Sequence, residues 1–113
     1  MVIVSSYPPR ECGLATFSMD IVKAIAAIFG TTLPVEICAL QNGNTKLKYG
    51  PEVTSILRTS RADNYRKIAH KLNERDDVGL VCIQHEFGLF GGVYGEHLLG
   101  FLLALDKPVI TIF

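Results

Sequence analysis

A chain of 113 residues, 49% hydrophobic and 19% charged, supports one domain with a modest core. Its 11 Lys and Arg balance 11 Asp and Glu, and the basic residues are scattered, so the electrostatic footprint of sequence-independent nucleic-acid binding is missing. Cys12, Cys38 and Cys82 are far apart with no C-x-x-C pair, which argues against a disulfide framework or a zinc site.

Met1 to Ser5 is short, apolar and β-branched and reads as a first strand, without the basic region of a signal peptide. Leu14, Phe17, Ile21, Ile25 and Ile28 follow at helical spacing, Gly30 stands where a C-terminal cap is wanted, and Pro34 restarts an extended chain. Val35 to Leu40 is the second strand. The polar, glycine-bearing stretch from Gln41 to Pro51 reads as a loop, and Val53 to Leu57 as a weak strand at a sheet edge. Ser60 offers an N-cap, with Asp63 in place of the usual Glu, to a helix from Arg61 to about Arg75 whose apolar stripe is Tyr65, Ile68, Ala69 and Leu72. Val78 to Gln84 is nearly continuous apolar sequence, as a central parallel strand buried on both faces requires. A helix over Glu96 to Leu105 and a fifth strand over Val109 to Phe113 complete the pattern. The expected fold is α/β: a Rossmann-like parallel sheet of about five strands, ordered 3-2-1-4-5, with helices on both faces.

The tract Leu98 to Leu105 is far short of the roughly 20 residues a bilayer demands, so the expectation is a cytoplasmic chain with no transmembrane span. That helix is apolar nearly all round, and the sequence stops on Phe113 inside a strand pattern. Both features point to residues 98–113 being covered by a further domain or a second copy, and to the chain being part of a larger fold or assembly.

Chemistry concentrates in two loops, Tyr7-Pro8-Pro9-Arg10-Glu11-Cys12-Gly13-Leu14-Ala15-Thr16-Phe17 and Gln84-His85-Glu86-Phe87-Gly88-Leu89-Phe90-Gly91-Gly92. In the expected order they leave the first and fourth strands, on either side of the crevice where strand order reverses. Pro8 and Pro9 suggest an extended entry. Gly13 allows close backbone approach at a helix N-terminus that favours a phosphate, and Arg10 and Glu11 suit the hydroxyls or charges of a polar substrate. The alternative for these two is a surface ion pair on a tight β-α turn. His85 and Glu86 emerge at a strand's carboxyl end, where they could orient sugar hydroxyls, act as a general base, or bond to each other and the backbone. A nucleophile system or a metal site built from Cys12, His85 and Glu86 is a weaker alternative. His70 and His97 read as solvated, and Cys38 and Cys82 as inert core residues; Cys12, just ahead of a helix, is the cysteine placed for reactivity. The dinucleotide G-x-G-x-x-G fingerprint and the Walker A pattern are absent.

The blocks YPPRECGLATF and QHEFGLFGG, with the βαβ pattern between them, resemble the amino-terminal half of family-4 glycosyltransferases of the GT-B type, over essentially the whole chain. Where most relatives carry two adjacent glycines, this chain has Cys12-Gly13. The resemblance implies that residues 1–113 form the acceptor-side Rossmann-like domain of an enzyme moving a sugar from a nucleotide-sugar donor to a sugar or lipid-linked acceptor, in the cytoplasm or at a membrane periphery. It implies no cofactor and no metal. Gly13 would lie by the donor phosphates, Arg10, His85 and Glu86 would line the acceptor side, and Glu11, Leu14 and Gly88 would complete the substrate-binding set. The family's basic and acidic donor-binding residues lie in a carboxyl-terminal domain that this sequence lacks, so the chain alone is expected to be inactive. The rival expectation is a non-catalytic α/β binding or assembly module that docks through its apolar last helix and open sheet edge. A third, an independent flavodoxin-like binding domain, is disfavoured because neither an acidic phosphorylation pocket nor a flavin loop is found.

Overall fold

The computed structural model describes residues 1–43 and 46–113. Asn44 and Thr45, inside the expected Gln41–Pro51 loop, lie outside the described residues.

Strands β1 (Val2–Ser5), β2 (Glu36–Gln41), β3 (Val53–Arg58), β4 (Val81–Gln84) and β5 (Val109–Ile112) form one sheet in the order β3-β2-β1-β4-β5. Every pair is parallel: Val4 lies opposite Cys38 on one side and Ile83 on the other, and Cys82 opposite Ile110. The connecting helices are α1 (Gly13–Phe29), α2 (Ala62–Asn73) and α3 (His97–Ala104). The expected α/β class, strand order and edge position of β3 all hold.

Side chains alternate across the sheet, so each central strand feeds two cores. Val2, Val4, Cys38, Leu40, Val81 and Ile83 pack beneath α2 and α3 against Tyr65, Ile68, Leu72, Leu98 and Phe101. Ile3, Ile37, Ala39 and Cys82 form the smaller core on the opposite face, with Met19, Ile21 and Val22 of α1 half-buried over it. All four residues of the expected α2 stripe are buried.

α1 docks only part of the expected apolar stripe, with Ile21 half-buried on the smaller core. Ala15 and Ser18 are its buried residues, whereas Phe17 is 50% and Ile28 74% exposed. A buried hydrogen bond of 2.6 Å between the hydroxyls of Ser5 and Ser18 ties this small-residue side of α1 to β1. Gly30 caps this helix at φ 55°, a conformation that L side chains rarely adopt. α1 with its following turn is a longer apolar segment than Leu98 to Leu105. Gly13–Thr32, which is α1 with the 3-10 turn Gly30–Thr32, spans 20 residues at mean hydropathy 1.5, enough by length and composition to cross a membrane. Its two ends join β1 and β2, which hydrogen-bond side by side, so in this fold the segment is a crossover against the sheet.

Ser60 does not cap α2. Arg61 holds the N-cap position without a side-chain bond, and the helix runs from Ala62 to Asn73 rather than from Arg61 to about Arg75. The side chain that organises this turn is Asn64, whose Oδ1 accepts the Arg58 backbone N–H at 2.7 Å.

Candidate functional site

Strand order reverses between β1 and β4, and the loops leaving these neighbouring parallel strands start at the same carboxyl edge. The first loop begins with a turn, not the expected extended entry: the Arg10 N–H donates to the Tyr7 carbonyl at 3.1 Å, and the Pro8–Pro9 peptide is cis. Tyr7 is buried beneath it, and burial together with the nearby Glu52 carboxylate pushes its phenol up to about 12.

Cys12 then caps α1. Its sulfur accepts the Ala15 N–H at 3.4 Å and lies 3.4 Å from the Ser6 hydroxyl, while its carbonyl accepts the Thr16 N–H at 3.2 Å. The thiol therefore does the work of a capping serine. Gly13 follows, exposed, and a Cβ there would meet nothing within 4 Å. Among the described residues, no neighbour requires glycine at this position. Leu14 is half-buried in the same turn.

Arg10 and Glu11 line a cleft of about 390 Å3 with Pro9, Leu40, Gln41, Asn42 and Leu47. Its walls are the first loop and the carboxyl end of β2, so the loop leans toward β2. Gln41 and Asn42 were not among the expected site residues. The rule that singles out the loops after β1 and β4, applied to the end of β2, would have found them.

The second loop is organised separately. The His85 backbone N–H donates to the Ile112 carbonyl at 2.7 Å, and its imidazole is ringed by Phe87, Phe90 and Phe113 at centroid distances of 6.1, 5.7 and 5.2 Å. Glu86 and Gly88 are exposed. Among the described residues, no hydrogen bond or ion pair joins His85 or Glu86 to Arg10, Glu11 or Cys12, and no group of three His, Cys, Asp or Glu side chains is placed to hold a metal. The loops thus share an edge without forming a catalytic cluster by themselves.

Beyond Phe87, the chain is tied down. The Gly91 N–H donates to the Tyr65 hydroxyl at 3.0 Å, and that hydroxyl donates to the Thr59 carbonyl at 2.8 Å. A Cβ at Gly91 would overlap that carbonyl oxygen. The Glu96 carboxylate accepts the N–H groups of Val93 and Tyr94 at 3.0 and 2.8 Å, and these bonds hold its pKa below the ordinary glutamate value. His97 is not solvated as expected: it packs edge-on against Tyr65 at 5.7 Å, with Nδ1 buried. His70 is exposed, as expected. Cys38 and Cys82 are core residues, and burial raises the Cys38 thiol to about 11.

Comparison with profiles of known protein families, with characterised proteins and with solved structures gives no match.

Proposed function

We propose that this chain is the acceptor-side, Rossmann-like portion of a glycosyltransferase that moves a sugar from a nucleotide-sugar donor to a sugar or lipid-linked acceptor. The observation that carries the reading is the cleft of about 390 Å3 at the sheet's carboxyl edge, where Arg10, Glu11, Gln41 and Asn42 put charged and amide groups around an apolar floor. The open ground at Gly13, the first residue of a 17-residue helix, supports a second role as one wall of a phosphate site. The motif blocks around Arg10 and His85 supply the family resemblance. In this reading Arg10 and Glu11 orient acceptor hydroxyls, His85, Glu86 and Gly88 bound the far side, and groups outside these residues complete the donor site. A cytoplasmic location, with α1 resting at a membrane periphery, accords with three unpaired cysteines and an apolar, largely exposed helix.

Heteronuclear NMR tests the acceptor role. A saccharide panel is expected to shift the amides of Arg10, Glu11 and Gln41 saturably, and Arg10→Ala to weaken that binding by about tenfold, as loss of a charge-assisted hydrogen bond would. The same chain is expected to show neither transfer nor donor hydrolysis. Robust turnover by these 113 residues would overturn the assignment of roles.

The exposure of Leu103 (86%) and Phe113 (93%) favours a second reading, a non-catalytic module docking through α3 and the β5 edge. Light scattering decides: a monodisperse monomer across the accessible concentrations counts against obligate assembly.

A further inference from the structure

A second cleft opens at the carboxyl end of β3, lined by Gly43, Lys46, Arg58, Ser60 and Arg61, also with a volume of about 390 Å3. Of the five described residues that line it, three are cations and none is an acid, in a chain whose formal charge is zero. The ion pairs among the described residues are Lys67–Asp63, Arg75–Glu36 and Arg75–Asp77, so Lys46, Arg58 and Arg61 carry their charge without a carboxylate partner. The nearby acid Asp63 lines a different cleft with Arg66, Glu96 and His97, and pairs with Lys67 at 3.4 Å.

The backbone at Arg58 and Arg61 is held in place. Arg58 is half-buried, lies in register with Gln41 of β2, donates its N–H to Asn64 at 2.7 Å and accepts the Arg61 N–H at 3.1 Å. Three like charges gathered at one concavity repel one another, a cost that a bound anion removes. Arg61 provides no side-chain cap to α2, so first-turn N–H groups add positive potential of the same sign.

We propose that this cleft binds the phosphate group of a small phosphorylated molecule. A phosphomonoester dianion matches three cations better than a singly charged carboxylate does, and guanidinium forks fit its oxygens. The volume suits a small ligand, and the balanced charge of the whole chain disfavours a polyanionic partner. Asn42 lines the first cleft and Gly43 the second, so a molecule seated in one could place its phosphate in the other. The inference stands on charge and shape and does not depend on glycosyl transfer.

The test is an amide-shift titration at about 0.15 M salt, where exposed charges are well screened, using inorganic phosphate, a monosaccharide phosphate and the same sugar without phosphate. Saturable shifts at Gly43, Ser60, Arg61 and Ala62 are expected with both phosphates, tighter with the sugar phosphate, and none there with the bare sugar. Arg58→Gln and Arg61→Gln should each raise Kd by about tenfold. Because Arg61 and Lys46 are exposed, the Lys46→Gln/Arg61→Gln double variant is expected to keep its fold, read from an unchanged amide spectrum away from the cleft, and to abolish saturation. Unsaturable shifts, unchanged affinity in the double variant, equal shifts from the bare sugar, or binding of inorganic phosphate without the sugar phosphate would each overturn the proposal.

Discussion

The Tyr65 hydroxyl joins three segments that are far apart in sequence: its own helix, the Thr59 carbonyl after β3, and the Gly91 N–H after β4. Replacing it by Phe leaves a buried carbonyl and an amide without that partner, at a cost of about 1–3 kcal/mol. Urea unfolding should register the loss, and amide exchange should show Gly91 opening earlier than in the wild type. Gly91→Ala acts on the same junction by overlap, because its Cβ would collide with the Thr59 carbonyl oxygen. A destabilisation of about 1–3 kcal/mol is expected there, with the second loop displaced. The expectation for Gly13 is different: with open space around it, Gly13→Ala should leave folding nearly unchanged, so any effect on ligand binding reports directly on the site.

At the scale of elements, polar clamps fix how helices meet strands. Asn73 closes α2 onto the end of α3, its Nδ2 donating to the Ala104 carbonyl at 2.8 Å and its Oδ1 accepting the Asp106 N–H at 2.7 Å. Asn73→Ala should therefore cost about 1–2 kcal/mol by chemical denaturation. Arg75, just past α2, holds the first residue of β2 in a two-pronged pair with Glu36 at 3.0 and 2.6 Å. That guanidinium keeps the Glu36 carboxyl below the ordinary glutamate value of 4.5. Because the folded-state value is the lower one, the stabilisation is fully present above the unfolded-state value and is lost as pH falls through the folded one. Both partners are partly exposed, so the pair contributes only about 1 kcal/mol after solvent screening. Glu36→Gln should lose that amount at neutral pH and little at about pH 2; equal losses at both would show that the ion pair is not the cause.

The whole molecule has a Cα radius of gyration of 13.3 Å and covers its two sheet faces unequally. α2 and α3 bury one face well, whereas α1 leaves Phe17, Ile28 and Phe29 exposed and β5 leaves Ile110, Ile112 and Phe113 exposed. Exposed apolar side chains of this size promote association at high concentration. Ile28→Lys should raise solubility, read by light scattering, while changing stability by no more than about 0.5 kcal/mol, since that side chain is 74% exposed.

Most of the architecture was legible in the linear pattern. Alternating β-branched runs and helical stripes determine strands, helices and, through right-handed crossover, the order 3-2-1-4-5. The α2 stripe was readable because its apolar and polar faces contrast sharply. The docking face of α1 was legible only in part, because that helix is apolar on several sides and the Ser5–Ser18 hydrogen bond that ties it to β1 is a tertiary contact. Likewise, position in the chain marked Arg10, Glu11, His85 and Glu86 as residues at a sheet edge, since strand ends are visible in the sequence. Only tertiary structure decided that Arg10 and Glu11 share a cleft with Gln41 and Asn42, that His85 sits among phenylalanines, and that Lys46, Arg58 and Arg61 converge. Local periodicity is a property of neighbouring residues. A cleft is set by loop packing between residues distant in sequence, which periodicity does not encode.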